Sequence, residues 1–176
     1  ATSKPRGEGP ANTFPIASAT TPADIAQVRR LFEAYQRELG VDLCFQGFER
    51  ELASLPGNYS PPRGLLLLAG ALDAPVGCAA LRPLSVTDRP DGSVGEVKRL
   101  YLAPGARGSG LGRALVERLI DQARAIGYRE LRLDTLAQMD VARALYQSLG
   151  FCEIAPYYPN PLPGVRYMAL ALPSAN

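Results

Sequence analysis

The sequence contains no histidine, only two lysines and only three cysteines. Without histidine, the Ser-His-Asp and Cys-His triads in their usual form are excluded, and so are most zinc sites. The cysteines, Cys44, Cys78 and Cys152, are too few and too widely spaced for a disulfide framework. We interpret them as reduced thiols of the core, and we expect no metal site. A nucleophilic cysteine would lack the base that usually activates it.

Long apolar runs and a strong net charge are also missing. The longest apolar run, Leu65 to Leu72, is far shorter than the ~20 residues of a membrane-spanning helix. The net charge of +2 gives no reason to expect nucleic acid or an anionic membrane as a partner. The polar, Gly- and Pro-rich segment 1–12 lacks a hydrophobic signal core. We expect a flexible tail there, a single domain over residues 13–176 and a cytoplasmic location.

Hydrophobic periodicity predicts alternating helices and strands over the rest of the chain. A short strand in "FPIASA" precedes an amphipathic helix that begins near Pro22 with a threonine cap, and a second helix is predicted around Phe45 to Leu55. Next come two strands around an Asp73-Ala74-Pro75 turn and a third strand over 94–104. They are followed by a helix to Ile126, a strand over 129–136, a helix over 140–149 and two closing strands. This order predicts an α/β fold, an α+β mixed sheet that is mostly antiparallel, with helices on both faces.

The stretch "RGSGLGRAL", from Arg107 to Leu115, places three glycines where a helix must begin. A glycine-rich turn between a strand and a helix directs backbone N–H groups and the positive end of the helix dipole at an anion. The P-loop pattern fails because Arg113 and Ala114 follow the last glycine, and the dinucleotide pattern fails at the same position. The pattern [R/Q]xxGxG fits, with Arg107, Gly110 and Gly112.

Together with "ALYQSLGF" about thirty residues further on, this loop resembles the GCN5-related N-acetyltransferase (GNAT) superfamily, whose members bind acetyl-coenzyme A. The resemblance extends from about Val94 to Phe151. It implies a parallel strand pair that splays apart to admit the pantetheine arm, and a pyrophosphate held by the amides of the glycine loop. The cofactor-binding residues that it implies are Leu100, Tyr101, Leu102, Arg107, Gly108, Ser109, Gly110, Leu111, Gly112, Arg113 and Thr135.

The resemblance also implies two catalytic residues. Glu96 occupies the position at which the histone acetyltransferase branch carries its general base, and Tyr146 matches the usual general acid that protonates the leaving thiolate. A backbone N–H near Leu100 would meet the oxyanion. Each residue has a structural alternative: Glu96 as a surface carboxylate paired with Lys98, and Tyr146 as a core tyrosine.

For the acceptor, the first two helices and the closing strands supply aromatic and polar residues that suit a small organic molecule. We expect Phe45, Arg99, Tyr158 and Asn160 to bind it, with Phe48, Tyr59, Tyr157 and Tyr167 nearby. The hypothesis is an N-acetyltransferase that acts on a small primary amine by direct attack in a ternary complex. A protein N-terminal or lysine acetyltransferase and a coenzyme-A-binding module without turnover remain open. A homodimer is possible by family analogy only.

Overall fold

A computed structural model describes residues 14–43 and 47–174, so the tail predicted over 1–12 lies outside the described residues. The described chain forms a seven-stranded sheet in the order β1-β2-β3-β4-β5-β7-β6. Neighbouring strands are antiparallel except β4 and β5, which are parallel. The strands are β1 (Ile16–Ser18), β2 (Leu65–Ala71), β3 (Ala74–Pro83), β4 (Val94–Leu102), β5 (Glu130–Thr135), β6 (Cys152–Ile154) and β7 (Arg166–Ala171). The helices are α1 (Pro22–Leu39), α2 (Phe48–Ser54), α3 (Leu111–Ile126) and α4 (Asp140–Ser148). The predicted mixed fold class is confirmed.

The first helix begins where the sequence pattern places it. The Thr21 hydroxyl accepts a hydrogen bond from the Asp24 backbone N–H at 3.1 Å, and the Asp24 carboxylate accepts one from the Thr21 N–H at 3.0 Å. These reciprocal bonds form a capping box, which satisfies donors that the first helical turn leaves unpaired. Gly40 ends the helix in the left-handed conformation.

The sheet separates two hydrophobic clusters, one on each face. Because strand side chains alternate, Leu67 and Ala69 of β2 pack in the cluster that contains α3, whereas Leu66 and Leu68 pack in the cluster that contains α1. Helix α3 contributes a fully buried stripe, and Tyr146 of α4 packs on the same face of the sheet. Helices therefore cover both faces, as predicted.

Three local predictions need correction. Ala74 pairs with Ala71, so the turn between β2 and β3 is Leu72–Asp73, a two-residue connection that suits the twist of paired strands. The second helix is shorter than predicted and begins at Phe48. Cys152 is exposed on the edge strand β6 and is not a core thiol, whereas Cys78 is buried and Cys44 lies outside the described residues.

No helix within the described ranges has the length and apolar character needed to cross a membrane.

Candidate active site

The parallel strands β4 and β5 pair over only three residues of each strand. Val94 lies beside Glu130, Gly95 beside Leu131 and Glu96 beside Arg132, after which the pairing ends although both strands continue. At the same level β4 contains a bulge: the step from Cys78 to Ala80 on β3 faces the longer step from Lys98 to Tyr101 on β4. The strands therefore separate into the wedge that the resemblance implied.

Arg99 sits at the centre of the bulge with a φ of +57°, a conformation that costs energy for any residue with a side chain. Its Nε and Nη2 atoms donate hydrogen bonds to the Glu51 carboxylate of α2 at 2.9 and 3.3 Å. The guanidinium also lies over the Phe48 ring, 5.1 Å from the centroid. Arg99 was expected to bind the acceptor, and the structure places it in a buried ion pair that ties the bulge to α2. Glu51 escaped prediction because 48 positions separate the partners and no local pattern connects them.

A cleft that is open to solvent lies between the separated strands. It is lined by residues from β4, β5, α1 and α4 and from the segments beside them: Tyr35, Leu43, Val97, Lys98, Arg99, Leu100, Asp134, Thr135, Leu136, Met139 and Tyr146. The structure thus brings together four predicted site residues, Arg99, Leu100, Thr135 and Tyr146. Tyr35 escaped prediction because it falls on the apolar stripe of α1.

Thr135, the last residue of β5, has a buried hydroxyl that makes no hydrogen bond within the described chain. Within the part of the chain that the structure describes, its Oγ1 is the one side-chain polar atom that is completely shielded from solvent and has no hydrogen-bond partner. A buried polar group left unpaired costs about 1–3 kcal/mol, so such groups usually face a ligand or a water molecule. The position of Thr135 in the cleft lining makes a ligand the natural partner.

Tyr146 lies near the start of the last turn of α4, with its ring packed on Phe151 at a centroid distance of 5.5 Å. The residue is 5% exposed, and no hydrogen bond to its hydroxyl occurs among the described residues. Burial raises the pKa of the phenol, and the negative charge of Asp134 raises it further. Tyr146 is therefore a neutral hydrogen-bond donor at physiological pH, located in the cleft.

Lys98 and Asp134 form a buried ion pair across the wedge, with the lysine Nζ 3.7 Å from the Asp134 Oδ1. The Tyr158 hydroxyl donates to the other carboxylate oxygen, and Asn160 donates to Tyr158 at 3.1 Å. Burial lowers the pKa of Lys98, whereas the charges of Glu96 and Asp134 oppose this effect. Tyr158 and Asn160, both predicted to bind the acceptor, thus support Asp134 from the loop between β6 and β7.

Glu96 is buried at 1% exposure, so its interpretation as a surface carboxylate is wrong. Arg82 Nε donates to one carboxylate oxygen at 2.9 Å, and the Tyr157 hydroxyl donates to the other at 2.7 Å. The carboxylate does not line the cleft, although it lies on the same strand, two residues before Lys98. The sequence did not predict Arg82 as the partner of Glu96, because the apolar pattern of its strand indicates only that the strand is buried.

The predicted anion loop joins β4 to α3 and contains two glycines with positive φ, Gly108 at +76° and Gly110 at +81°. Gly110 is the N-cap of α3 and offers no side-chain cap to the amides of the first turn, those of Leu111, Gly112 and Arg113. A Cβ at Gly108 would meet nothing within 4 Å. The loop therefore exposes main chain at a helix N-terminus, where an anion is favoured.

The polar side chains of this loop are engaged locally. Arg107 donates to the Leu102 carbonyl at 2.9 and 3.1 Å and pairs with Glu38. The Ser109 hydroxyl donates to the Ala106 carbonyl at 2.6 Å. Arg113 lies 3.6 Å from Glu117 on the exposed face of α3. Backbone groups, more than these side chains, are available to a ligand here.

The acceptor side contains fewer accessible aromatic residues than predicted. Phe48 and Tyr59 are buried in the core, and Phe45 lies outside the described residues. Tyr157, Tyr158 and Tyr167 pack edge to face, with centroid distances of 5.3–5.5 Å. Polar groups consequently dominate the described wall of the cleft.

Residues 27–151 match the profile of the Acetyltransferase (GNAT) family. The chain belongs to this family. As a GNAT member it is an N-acetyltransferase, and acetyl-CoA is the acyl donor of the family.

Related proteins come from both eukaryotes and bacteria. The chain is 38% identical to an uncharacterized N-acetyltransferase of Schizosaccharomyces pombe, over 89% of the chain and 94% of that protein. It is 39% identical to an IAA acetyltransferase of Azospirillum brasilense, over 77% of the chain and 85% of that protein. A Salmonella typhimurium structure solved with its cofactor acetyl-CoA shares the fold, with a TM-score of 0.68 and 22% identity. That match covers 93% of the chain and 96% of the Salmonella protein.

Proposed function

We propose that this GNAT enzyme transfers the acetyl group of acetyl-CoA to the primary amine of a small molecule, by direct attack in a ternary complex. The observation that carries the proposal is the cleft between β4 and β5, which contains two hydroxyl groups without hydrogen-bond partners among the described residues. These are the hydroxyls of Thr135 and Tyr146. When bound, acetyl-CoA supplies an activated acetyl group as a thioester.

The residues of the wedge fit the pantetheine arm of acetyl-CoA. Beyond Glu96 the edge of β4 that faces β5 forms no strand pairing in the described chain, so main-chain groups near Leu100 remain for an extended ligand. Thr135 offers a hydroxyl that the protein leaves unpaired. An amide-containing arm supplies the donors and acceptors that these groups lack.

The glycine loop fits the pyrophosphate. The amides from Gly108 to Arg113 lead into the first turn of α3, which has no side-chain cap, so a diphosphate would satisfy them and interact favourably with the helix dipole. At Gly112 a Cβ would lie 3.5 Å from the Leu102 and Leu145 side chains, an ordinary contact. Protein packing therefore does not require glycine at this position, whereas close approach of a ligand to the main chain does.

Tyr146 is proposed to protonate the departing thiolate. Its raised pKa keeps the phenol neutral, and its position in the cleft lets the hydroxyl donate to a sulfur atom there. A thiolate whose thiol has a pKa of ~8.5 is a weaker base than a phenolate, so full transfer from Tyr146 to the free thiolate is uphill by at least ~2 kcal/mol. Transfer becomes favourable while the C–S bond breaks, since the sulfur is then more basic.

Glu96 is proposed to receive the proton of the acceptor amine. An alkylammonium with a pKa of ~10.4 is only about 0.04% neutral at pH 7, so a route for this proton is needed. Because the carboxylate does not line the cleft, the proton has to travel through water or through the Tyr157 hydroxyl that contacts Glu96 at 2.7 Å. The geometry thus favours a relay over direct abstraction.

The lining of the cleft favours a small acceptor over a peptide. Tyr35, Lys98 and Asp134 contribute to the lining, in which Asp134 is the one carboxylate among the described residues. Tyr158 and Asn160, in the loop between β6 and β7, are joined to Asp134 by hydrogen bonds. A peptide acceptor would require an open groove lined with acids.

Two measurements test the proposal. Calorimetry should show that acetyl-CoA binds the purified chain, and binding should weaken when the glycine loop is altered. A thiol-release assay with acetyl-CoA should then respond to members of a panel of small primary amines and not to peptides with free N-termini or lysines. Release with peptides alone would establish the protein-acetylating alternative, and binding without release across the panel would favour a module without turnover.

A further inference from the structure

We infer that Lys98 is a site of self-acetylation: its Nζ takes the acetyl group of acetyl-CoA bound in the cleft. This inference rests on the proposed function only in requiring that the thioester lie between β4 and β5.

The position of Lys98 carries the argument. Its side chain, 5% exposed, lines the same cleft as Leu100, Thr135 and Tyr146, the residues proposed to hold the thioester and protonate the sulfur. A nucleophile held beside a bound electrophile reacts as if it were present at very high concentration. Lys98 therefore has the location that the acceptor amine needs.

The choice of lysine at this position is informative. The chain contains 19 basic residues, of which only Lys4 and Lys98 are lysines. Lys98 is thus the one lysine within the described residues, and it lies in the cleft. A guanidinium stays charged under all ordinary conditions, whereas a buried ammonium can lose its proton and become a nucleophile.

The charged groups around Lys98 allow it to change protonation state. On its own strand it is influenced by Glu96 and Arg99, on β3 by Arg82, and on β5 by Asp134. The cleft tyrosines, Tyr35 of α1 and Tyr146 of α4, are both neutral because burial raises their pKa. Burial lowers the pKa of Lys98 and the two cations add to this effect, while the two carboxylates oppose it.

The reaction balances without a further reagent. After the ammonium loses one proton to solvent, the Nζ lone pair attacks the carbonyl carbon of the thioester, an N–C bond forms and the C–S bond breaks. The nitrogen releases its second proton and the sulfur gains one, so the products are Nε-acetyl-lysine and free coenzyme A. The product amide is neutral, and Asp134 keeps its hydrogen bond from Tyr158.

Mass spectrometry tests the inference on the full chain. Incubation with acetyl-CoA should add the mass of one acetyl group, and peptide mapping should place it on Lys98. The modification should be lost in Lys98→Arg, whose fold is checked by circular dichroism. In urea, where the cleft no longer exists, Lys98 of the wild-type chain should be acetylated more slowly although it is then exposed.

Two variants test whether the groups of the cleft promote the acetylation of Lys98, or whether Lys98 reacts with acetyl-CoA as any lysine would. Asp134→Asn removes a charge that favours the ammonium, so acetylation at pH 7 should accelerate, about tenfold for each unit by which the pKa of Lys98 falls. Tyr146→Phe should slow it, because the leaving sulfur loses its proton donor. A loosened fold would slow acetylation in both variants, so the acceleration expected for Asp134→Asn separates the chemical role of the cleft from a loss of structure.

The outcomes also distinguish this inference from the proposed function. If acetyl-CoA binds and small amines release thiol while Lys98 stays unmodified after prolonged incubation, self-acetylation is refuted and the proposed function stands. If acetyl-CoA does not bind, both are refuted. Acetylation of Lys98 that is as fast in urea as in the folded chain would also overturn the inference.

Discussion

Replacement of Tyr146 by phenylalanine removes one oxygen atom and leaves the packing of the residue intact. The ring still contacts Phe151, and no hydrogen bond is lost among the described residues, because the hydroxyl makes none there. The free energy of unfolding should therefore change by less than about 0.5 kcal/mol. The affinity for acetyl-CoA should stay within about a factor of three, since the change corresponds to well under 1 kcal/mol.

Turnover should respond very differently. Loss of a general acid typically lowers the rate by about 10²- to 10³-fold, which corresponds to roughly 3–4 kcal/mol in the activation barrier. Steady-state thiol release with a responsive amine gives kcat, calorimetry gives Kd for acetyl-CoA, and urea denaturation gives the stability. We expect a large fall in kcat with nearly unchanged Kd and stability.

Tyr128→Phe is the matched control. Tyr128 is equally buried, but its hydroxyl donates to the Arg63 carbonyl at 2.7 Å, away from the cleft. This variant should lose about 1 kcal/mol of stability and keep its kcat. If Tyr146→Phe turned over as fast as the wild type, or if both variants lost kcat in proportion to stability, Tyr146 would be a structural tyrosine and the reasoning would be refuted.

Three further predictions concern the loop, the bulge and the first helix. Gly110→Glu should abolish acetyl-CoA binding in calorimetry, whereas Gly127→Glu, which imposes the same change at the other end of α3 at a φ of +108°, should bind normally; equal losses would contradict the loop assignment. Glu51→Gln should lower the free energy of unfolding by about 3 kcal/mol, because it removes the negative charge from a buried ion pair with Arg99, and an unchanged denaturation midpoint would show that the pair contributes little. Backbone hydrogen bonds hold the pKa of Asp24 below its usual 3.8, so its contribution to stability is complete above that pH and is lost as the pH falls through the lower folded-state pKa. Asp24→Asn should therefore flatten the acid limb of a stability–pH curve, and an unaltered curve would argue against the capping box as its origin.

Local patterns predicted most of the fold. The threonine cap and Pro22 start α1, the glycines at 110 and 127 bound α3, and two apolar runs of strand length locate β2 and β3. Each of these features depends on interactions within a few residues of the chain, which a sequence displays directly. The glycine loop and Tyr146 were also assigned from short motifs of neighbouring residues, "RGSGLGRAL" and "ALYQSLGF".

The electrostatic partners of the site could not be predicted in this way. The structural alternative to a catalytic Glu96 was a pair with Lys98, two residues along the strand, but the structure pairs Glu96 with Arg82 on β3 and joins Lys98 to Asp134 on β5. Arg99 was expected to bind the acceptor; it lines the cleft, but its ion pair with Glu51 was not predicted. Such pairs arise from strand register and helix placement, and a strand pattern gives only the face on which a side chain lies.

The short contact between β4 and β5 also has a mechanical consequence. Only three residue pairs connect the half-sheet β1-β2-β3-β4 to the half-sheet β5-β7-β6, so backbone hydrogen bonds hold this seam weakly compared with the antiparallel strands on either side. Small hinge movements at the seam require little disruption of the sheet. A ligand that pairs with both strands would join the two halves, so amide hydrogen exchange in β5 and β7, remote from the glycine loop, should slow when acetyl-CoA is bound.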